Sequence, residues 1–153
     1  MRARAIALTM ALCLVALGVC FASPQMGTWK LNEAKSKLNP AAPKNHTVVY
    51  AAAGYNVKVT VDGTDSSGKP THNEWTGKFD GKDYPVTGDP TSDMRSYKQV
   101  DDHTLAITIK KGGKVTGTGT IVVSADGKSR TVTISTTDSK GKKVSSTAVY
   151  DKQ

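Results

Sequence analysis

The sequence predicts an all-β protein, an antiparallel up-and-down meander of 8–10 strands that closes into a barrel. Three observations predict this fold. Apolar side chains alternate with Thr, Ser and Lys at a period of two, as pleated strands with one wet face require. Turn pairs such as Gly112-Gly113 and Asp126-Gly127 recur about every 7 to 14 residues from residue 81 onward. No stretch after residue 22 has the pattern of a long helix.

The first 22 residues are predicted to be a signal peptide that precedes this barrel. Arg2 and Arg4 form a positive start, residues 5–19 are apolar, and Cys20-Phe21-Ala22 places small residues where signal peptidase reads the chain. Cleavage before Ser23 is therefore expected. Two of the 21 Lys+Arg and none of the 13 Asp+Glu precede this point, so the remaining 131 residues carry a net charge of +6.

Two alternatives to cleavage are a helical membrane anchor and lipidation of Cys20. The apolar segment is short for a membrane span, and Val19 is the wrong residue before a lipidated cysteine. With cleavage, residues 23–153 form one domain without cysteine, hence without disulfides or a thiolate nucleophile. The expected location is the periplasm or the medium, and the sequence leaves the choice between them open.

The strands are recognised by their alternation. Tyr55, Val57, Val59 and Val61 are predicted to share one face, with Lys58 and Thr60 opposite, and Val132 and Ile134 alternate with threonines in the same way. Segment 33–45 can hold only one short turn of helix before Pro40 ends it. Gly117 and Gly119 inside a strand mark a bend or bulge that helps a barrel close. Taken in order, the predicted strands are 27–32, 46–53, 55–62, 71–79, 82–87, 93–100, 103–110, 114–124, 129–137 and 143–151.

Both ends of the domain carry strand motifs of known barrel families. The opening Gly27-Thr28-Trp29-Lys30-Leu31 and the closing run 144–152, VSSTAVYDK, resemble the first and last strands of the calycins, the lipocalins and fatty-acid-binding proteins. The resemblance implies an up-and-down barrel around a cavity for one small apolar ligand. It also implies that Trp29 closes the barrel floor.

The chain departs from these families in two places. Segment 33–45 is too short for the helix–turn–helix lid of the fatty-acid-binding proteins. Their last strand carries Arg-x-Tyr, which grips a ligand carboxylate, and here Ala148 replaces the arginine while Tyr150 remains. The whole chain also resembles small exported bacterial proteins that are described only as lipocalin-like.

Four residues are the candidate ligand contacts. Trp75 shares a face of strand 71–79 with Asn73, and Arg95 shares a face of strand 93–100 with Tyr97. Tyr150 is the tyrosine that the last strand keeps from the Arg-x-Tyr motif. Aromatic rings with one buried cation suit an amphipathic acid. The alternative is that these rings form the core of a chain poor in large side chains.

Metal and catalytic sites are not expected. His72 and Glu74 share a strand face, but two ligands do not make a metal site. Asp62-Gly63 is predicted to be a turn, and the loop 62–68 lacks the acidic spacing of an EF-hand. With no nucleophile motif and no phosphate loop in the sequence, we expect neither an enzyme nor a bound cofactor.

The sequence leaves two functions open. The first is non-covalent binding of a small hydrophobic or amphipathic ligand by an exported monomer, without a nucleic-acid partner or a transmembrane segment after cleavage. The second is a filled, ligand-free structural or interaction module that uses the basic turns 110–114 and 140–143, which could also meet an anionic envelope surface. A cavity would distinguish them. An outer-membrane barrel is excluded, because nine aromatic residues cannot supply its girdles.

Overall fold

The computed structural model describes residues 23–137 and 141–153, so the predicted signal peptide lies outside the described residues. The described chain is an all-β barrel of ten antiparallel strands with one 3-10 turn. No helix among the described residues has the length and apolar character needed to cross a membrane. The strands are β1 Gly27–Leu31, β2 Lys44–Ala53, β3 Asn56–Thr64, β4 Pro70–Gly77, β5 Tyr84–Thr87, β6 Met94–Gln99, β7 Thr104–Lys111, β8 Lys114–Val123, β9 Ser129–Thr137 and β10 Lys143–Lys152.

Each strand pairs with its neighbours along the chain, and β1 pairs with β10 to close the ring. Closure places Trp29 opposite Lys152 and Leu31 opposite Tyr150. The predicted fold and all ten strands are thereby confirmed. The short helical turn predicted in segment 33–45 is Glu33–Lys35, with the Asn32 side chain accepting a hydrogen bond from the Lys35 amide.

The turn predicted at Asp62-Gly63 is wrong, because β3 continues through both residues to Thr64. The turn lies at 65–69, where the Asp65 amide donates to the Lys69 carbonyl oxygen at 2.9 Å. Gly63 serves a close approach instead: a Cβ there would lie 2.0 Å from the carbonyl oxygen of Lys44. A register shift between β2 and β3 falls beside this contact.

Two other local predictions need correction. Tyr55 does not lie on the inner face of β3; it is 99% exposed and lies in the turn with Gly54, whose φ is +62°. Strand β4 ends at Gly77, so Phe79 lies beyond it, although its ring still packs against the core. The predicted bulge in β8 is confirmed, since the β7–β8 register shifts beside Gly117.

The two ends of the barrel differ. At the end that holds residues 23 and 153, large side chains fill the interior. At the other end, which carries the connections after β1, β3, β5, β7 and β9, the inward positions of β9 and β10 hold small or β-branched residues. The buried core consists of Trp29, Val48, Tyr50, Val59, Val61, Trp75, Val86, Tyr97, Leu105, Ile107, Ile121, Val123 and Tyr150.

Candidate functional site

A cavity of about 580 Å³ occupies the loosely filled end of the barrel. Its rim is formed by segment 38–45 after β1, Asp65 after β3 and residues 88–91 after β5. This volume falls within the range of about 300–1,000 Å³ that is typical of small-molecule sites. The cavity exists because short side chains face inward here, while the rings of the core lie farther down the barrel.

One wall of the cavity is apolar. Val132 and Ile134 on β9 and Val144 and Ala148 on β10 line it from inward positions, with Ser146 as the polar residue between the last two. Ile109 on β7 continues this surface across β8, where the facing residue is Gly117. A wall of this kind favours contact with a hydrocarbon or ring surface.

The opposite wall is polar and contains a buried cation. Arg95 on β6 is only 8% exposed and lines the cavity with Asn73 of β4. Arg95 Nη2 lies 3.5 Å from Asn73 Oδ1 and 3.5 Å from Asp89 Oδ2, and its Nε has no hydrogen-bond partner. Charge-assisted hydrogen bonds are normally about 2.7–2.9 Å long. The Arg95 guanidinium therefore makes two long contacts and keeps one buried N–H without a hydrogen-bond partner.

Asp89 at the rim is held by its own loop. Its Oδ1 accepts from the Thr91 amide at 2.8 Å and from Thr91 Oγ1 at 2.7 Å, and its Oδ2 accepts from Ser92 Oγ at 2.6 Å. Partial burial raises the pKa of Asp89, but the bonds from Ser92 and Thr91 and the charge of Arg95 outweigh it, so the pKa lies below its ordinary value. The carboxylate is therefore ionised at neutral pH.

Tyr150 lies where the cavity meets the filled end. Its hydroxyl donates to the backbone oxygen of Asn45 at 3.0 Å, which ties β10 to the start of β2. Burial raises the pKa of Tyr150 to about 12, so the hydroxyl keeps its proton. The guanidinium carbon of Arg130 lies 4.9 Å from the centre of the Tyr150 ring.

The end of the barrel that holds residues 23 and 153 is here called the floor, and it contains Trp29, which the family resemblance predicts to close it. The indole is fully buried, and its Nε1 donates to the Gln25 carbonyl oxygen at 2.8 Å. Gln25 is itself buried, and its Nε2 donates to the His103 carbonyl oxygen at 3.2 Å. The Arg130 guanidinium carbon and the Lys152 ammonium lie 4.9 and 5.0 Å from the indole centre.

Trp75 and Tyr97 do not line the cavity. Their ring centres lie 4.7 Å apart in an edge-to-face arrangement below it, and Trp75 Nε1 donates to the Arg95 carbonyl oxygen at 2.9 Å. Of the four candidate contacts, the structure brings Arg95 and Tyr150 to the cavity and places the other two in the core beneath it. Ligand contact by any of them stays a prediction. The packed aromatic cluster comprises Tyr50, Trp75, Phe79, Tyr84 and Tyr97.

Sequence reasoning missed Asn73 and Asp89 as cavity residues. The alternation placed Asn73 on the inner face beside Trp75, which was a usable signal. Asp89 gave only a turn signal, because its approach to Arg95 depends on how loop 88–93 folds over the rim. Among residues 23–137 and 141–153, no group of three side chains could hold a metal ion. His72 instead lies on the outer surface between Asp62 and Glu74.

No protein-family model matches the sequence, and no curated protein matches it. Among solved structures, the chain is similar to EF1p2_mFAP2b bound to DFHBI, with a TM-score of 0.51, 13% sequence identity, and coverage of 85% of this chain and 94% of that chain. It is also similar to a redesigned β-barrel, b11L5F_LGL, with a TM-score of 0.45, 15% identity, and coverage of 86% and 93%. The first likeness supports the fold, and the ten-stranded closed meander fits a lipocalin- or fatty-acid-binding-protein-like barrel.

Proposed function

We propose that the protein binds a small hydrophobic or amphipathic molecule non-covalently in the cavity, and that it is a carrier or receptor and not an enzyme. The observation that carries the proposal is an unfilled space of about 580 Å³ between an apolar wall and a polar wall. A ligand-free module would gain stability by filling this space with larger side chains. EF1p2_mFAP2b, which shares the fold, is bound to DFHBI, so a barrel of this shape can hold a ligand.

The experiment is a fluorescence titration with N-phenyl-1-naphthylamine, a neutral apolar probe. In the test variant Ala148→Phe, a ring is placed on the inner face of β10, into the cavity. In the matched control Ser145→Phe, the same ring is added to an exposed position of the same strand. We expect wild type and the control to bind alike, and Ala148→Phe to bind at least about tenfold more weakly, a difference of about 1.4 kcal/mol.

Native mass spectrometry of the protein from its own host supplies the second readout. A small molecule retained at near-unit stoichiometry would support a carrier and identify the ligand class. If the wild type binds no probe and retains no molecule, the ligand-binding proposal fails. The ligand-free structural or interaction module would then stand in its place. Circular dichroism of each variant separates a blocked cavity from a misfolded barrel.

We further propose that the barrel is exported, to the periplasm or the medium, after cleavage before Ser23. The pattern of residues 1–22 supports this proposal, because a positive start and an apolar run precede Cys20-Phe21-Ala22. Gln25, two residues after Ser23, is already buried beside Trp29, so cleavage there leaves the packed chain intact. The intact mass of the purified protein tests this proposal. A chain that begins at Ser23 supports it, a chain that begins at a lipidated Cys20 supports the lipoprotein alternative, and an unprocessed chain contradicts both.

A further inference from the structure

The interior of the barrel holds more positive than negative charge. Arg95 and Arg130 are both less than a tenth exposed. Among the described residues, Asp89 is the acidic side chain that forms an ion pair with one of them, Arg95. Arg130 is enclosed by aromatic rings and does not line the cavity. At the rim, Lys44 also lines the cavity but pairs with Glu33 at 3.1 Å, and the Asp65 carboxylate accepts hydrogen bonds within its own turn. Arg95 is therefore the cation that a ligand inside the cavity would meet.

The guanidinium of Arg95 has unused hydrogen-bonding capacity. It carries five N–H donors, and a buried donor without a partner costs stability. Its contacts with the Asp89 carboxylate and the Asn73 amide oxygen both come from Nη2 at 3.5 Å, and its buried Nε has no partner. The Tyr97 hydroxyl in the core beneath is its other polar neighbour. A planar acid group can accept two parallel hydrogen bonds from such a fork.

Without Arg95, Asp89 would still accept hydrogen bonds from the protein at both carboxylate oxygens. Three short bonds from Thr91 and Ser92 hold both carboxylate oxygens independently of the arginine. The pair at 3.5 Å is the longest contact that this carboxylate makes with its named partners. A second acid group would therefore compete with Asp89 for Arg95 without leaving a buried charge unpaired.

We infer that the ligand is an anionic amphipath whose acid group binds Arg95 in place of Asp89, with its apolar part along the β9–β10 wall. The inference rests on the proposed function, because it assigns the ligand class of the same cavity. Asn73 provides a neutral polar neighbour for the head group. The head-group contact comes from β6, not from the last strand, where Ala148 offers no cation. Carboxylates and sulfonates share the required chemistry.

Two probes with nearly the same aromatic body test this inference. 8-Anilino-1-naphthalenesulfonate carries an acid group that N-phenyl-1-naphthylamine lacks. The variants are Arg95→Met, which removes the cation, and Asp89→Asn, which removes the resident counter-ion at nearly constant volume. Lys98→Met is the control, since it removes the same charge from an exposed position of β6.

We expect wild type and Lys98→Met to bind the sulfonate at least about tenfold more tightly than the neutral probe. Arg95→Met should abolish this preference while the neutral probe binds within about twofold of wild type. Asp89→Asn should tighten sulfonate binding several-fold and leave the neutral probe unchanged. If both probes bind and neither variant changes their ratio, the inference is overturned while the proposed function stands. If neither probe binds to the folded wild type, both fail.

A second measurement covers the case in which Arg95→Met does not fold. The arginine Nε–H resonances of the wild type are followed by nitrogen-15 NMR during addition of dodecanoate or of dodecanol. We expect the Arg95 resonance to shift with dodecanoate and to stay in place with dodecanol. An equal shift with both compounds would contradict recognition of the acid group.

Discussion

The guanidinium carbon of Arg130 lies 4.9 Å from the centre of the Trp29 ring, so a cation from β9 covers the buried indole at the barrel floor. The same carbon lies 4.9 Å from the ring centres of Tyr50 and Tyr150. One buried cation therefore joins β1, β2 and β10 through three aromatic faces. Desolvated contacts of this kind contribute about 2 kcal/mol or more.

We expect Arg130→Ala to lower the free energy of unfolding by about 3 kcal/mol, because it removes the contacts with three rings and leaves a hole in the floor. Urea denaturation measures the change. Lys128→Ala, two residues away and exposed, is the control and should stay within about 0.5 kcal/mol of wild type. Equal stability of the two variants would show that the buried cation contributes nothing to the floor.

Gly119 predicts a second strong effect on stability. A Cβ at this position would lie 2.0 Å from the carbonyl oxygen of Thr133 on β9, a backbone atom that cannot move aside. We expect Gly119→Ala to destabilise the barrel by about 3 kcal/mol. At Gly117 the nearest atom is a side-chain methyl of Thr136 at 3.2 Å, so Gly117→Ala should cost less than about 1 kcal/mol. Thermal unfolding compares the stability of the two variants. A larger loss of stability for Gly117→Ala than for Gly119→Ala would refute the steric argument.

The hydroxyl of Tyr150 is expected to contribute to stability through one hydrogen bond. Tyr150→Phe keeps the ring over Arg130 but removes the hydrogen bond to the Asn45 carbonyl oxygen. We expect a loss of about 1 kcal/mol, the usual net contribution of one such bond. Urea denaturation checks this against Tyr55→Phe, where the ring is fully exposed and no change is expected. Equal urea midpoints for the two variants would contradict a stabilising hydrogen bond between the Tyr150 hydroxyl and the Asn45 carbonyl oxygen.

His72 predicts a dependence of stability on pH. Its hydrogen bond to Asp62 at 2.6 Å and its contact with Glu74 at 3.5 Å raise the pKa of His72 above its ordinary value. A raised pKa in the folded state contributes stability that is fully present below the unfolded pKa of about 6.5 and is lost as the pH rises through the folded value. We therefore expect His72→Gln to lower stability at about pH 5.5 and to have no effect at about pH 8.5.

The measurement is urea denaturation of wild type and His72→Gln at both pH values. The same variant in a second background, Asp62→Asn, provides the control, because the partner that raises the pKa is then neutral. The pH dependence of the substitution should become smaller there. A loss of the same size at both pH values in the original background would show that packing and not charge is responsible.

The strands could be predicted from sequence because alternation is a local property. Val57, Val59 and Val61 alternate with polar residues whatever the rest of the chain does. Gly63 was misread as a turn because a glycine that permits a turn and a glycine that permits a close approach look alike in sequence. The difference lies in the Lys44 carbonyl oxygen, which reaches Gly63 only through the pairing of β2 with β3.

The candidate site could be predicted in part for a similar reason. Alternation tells which face of a strand a residue occupies but not its height along the barrel, which depends on the stagger of all ten strands. Arg95 and Tyr97 share a face, yet one lines the cavity and the other lies in the core beneath it. Alternation also places Arg130 on the same face of β9 as Val132, but its contact with Trp29 is set by tertiary packing.

The pairing of β1 with β10 also brings the first and last described residues together. The Lys152 ammonium donates to the Pro24 carbonyl oxygen at 3.2 Å, and the Gln153 amide donates to the Thr28 carbonyl oxygen at 3.0 Å. A short linker could therefore join these ends, and new termini could be opened at Gly54, where no atom lies within 4 Å of the Cβ position. The barrel is in this sense a cyclic object, and a circularly permuted chain that starts at β3 would make the same ten pairings in a different order of synthesis.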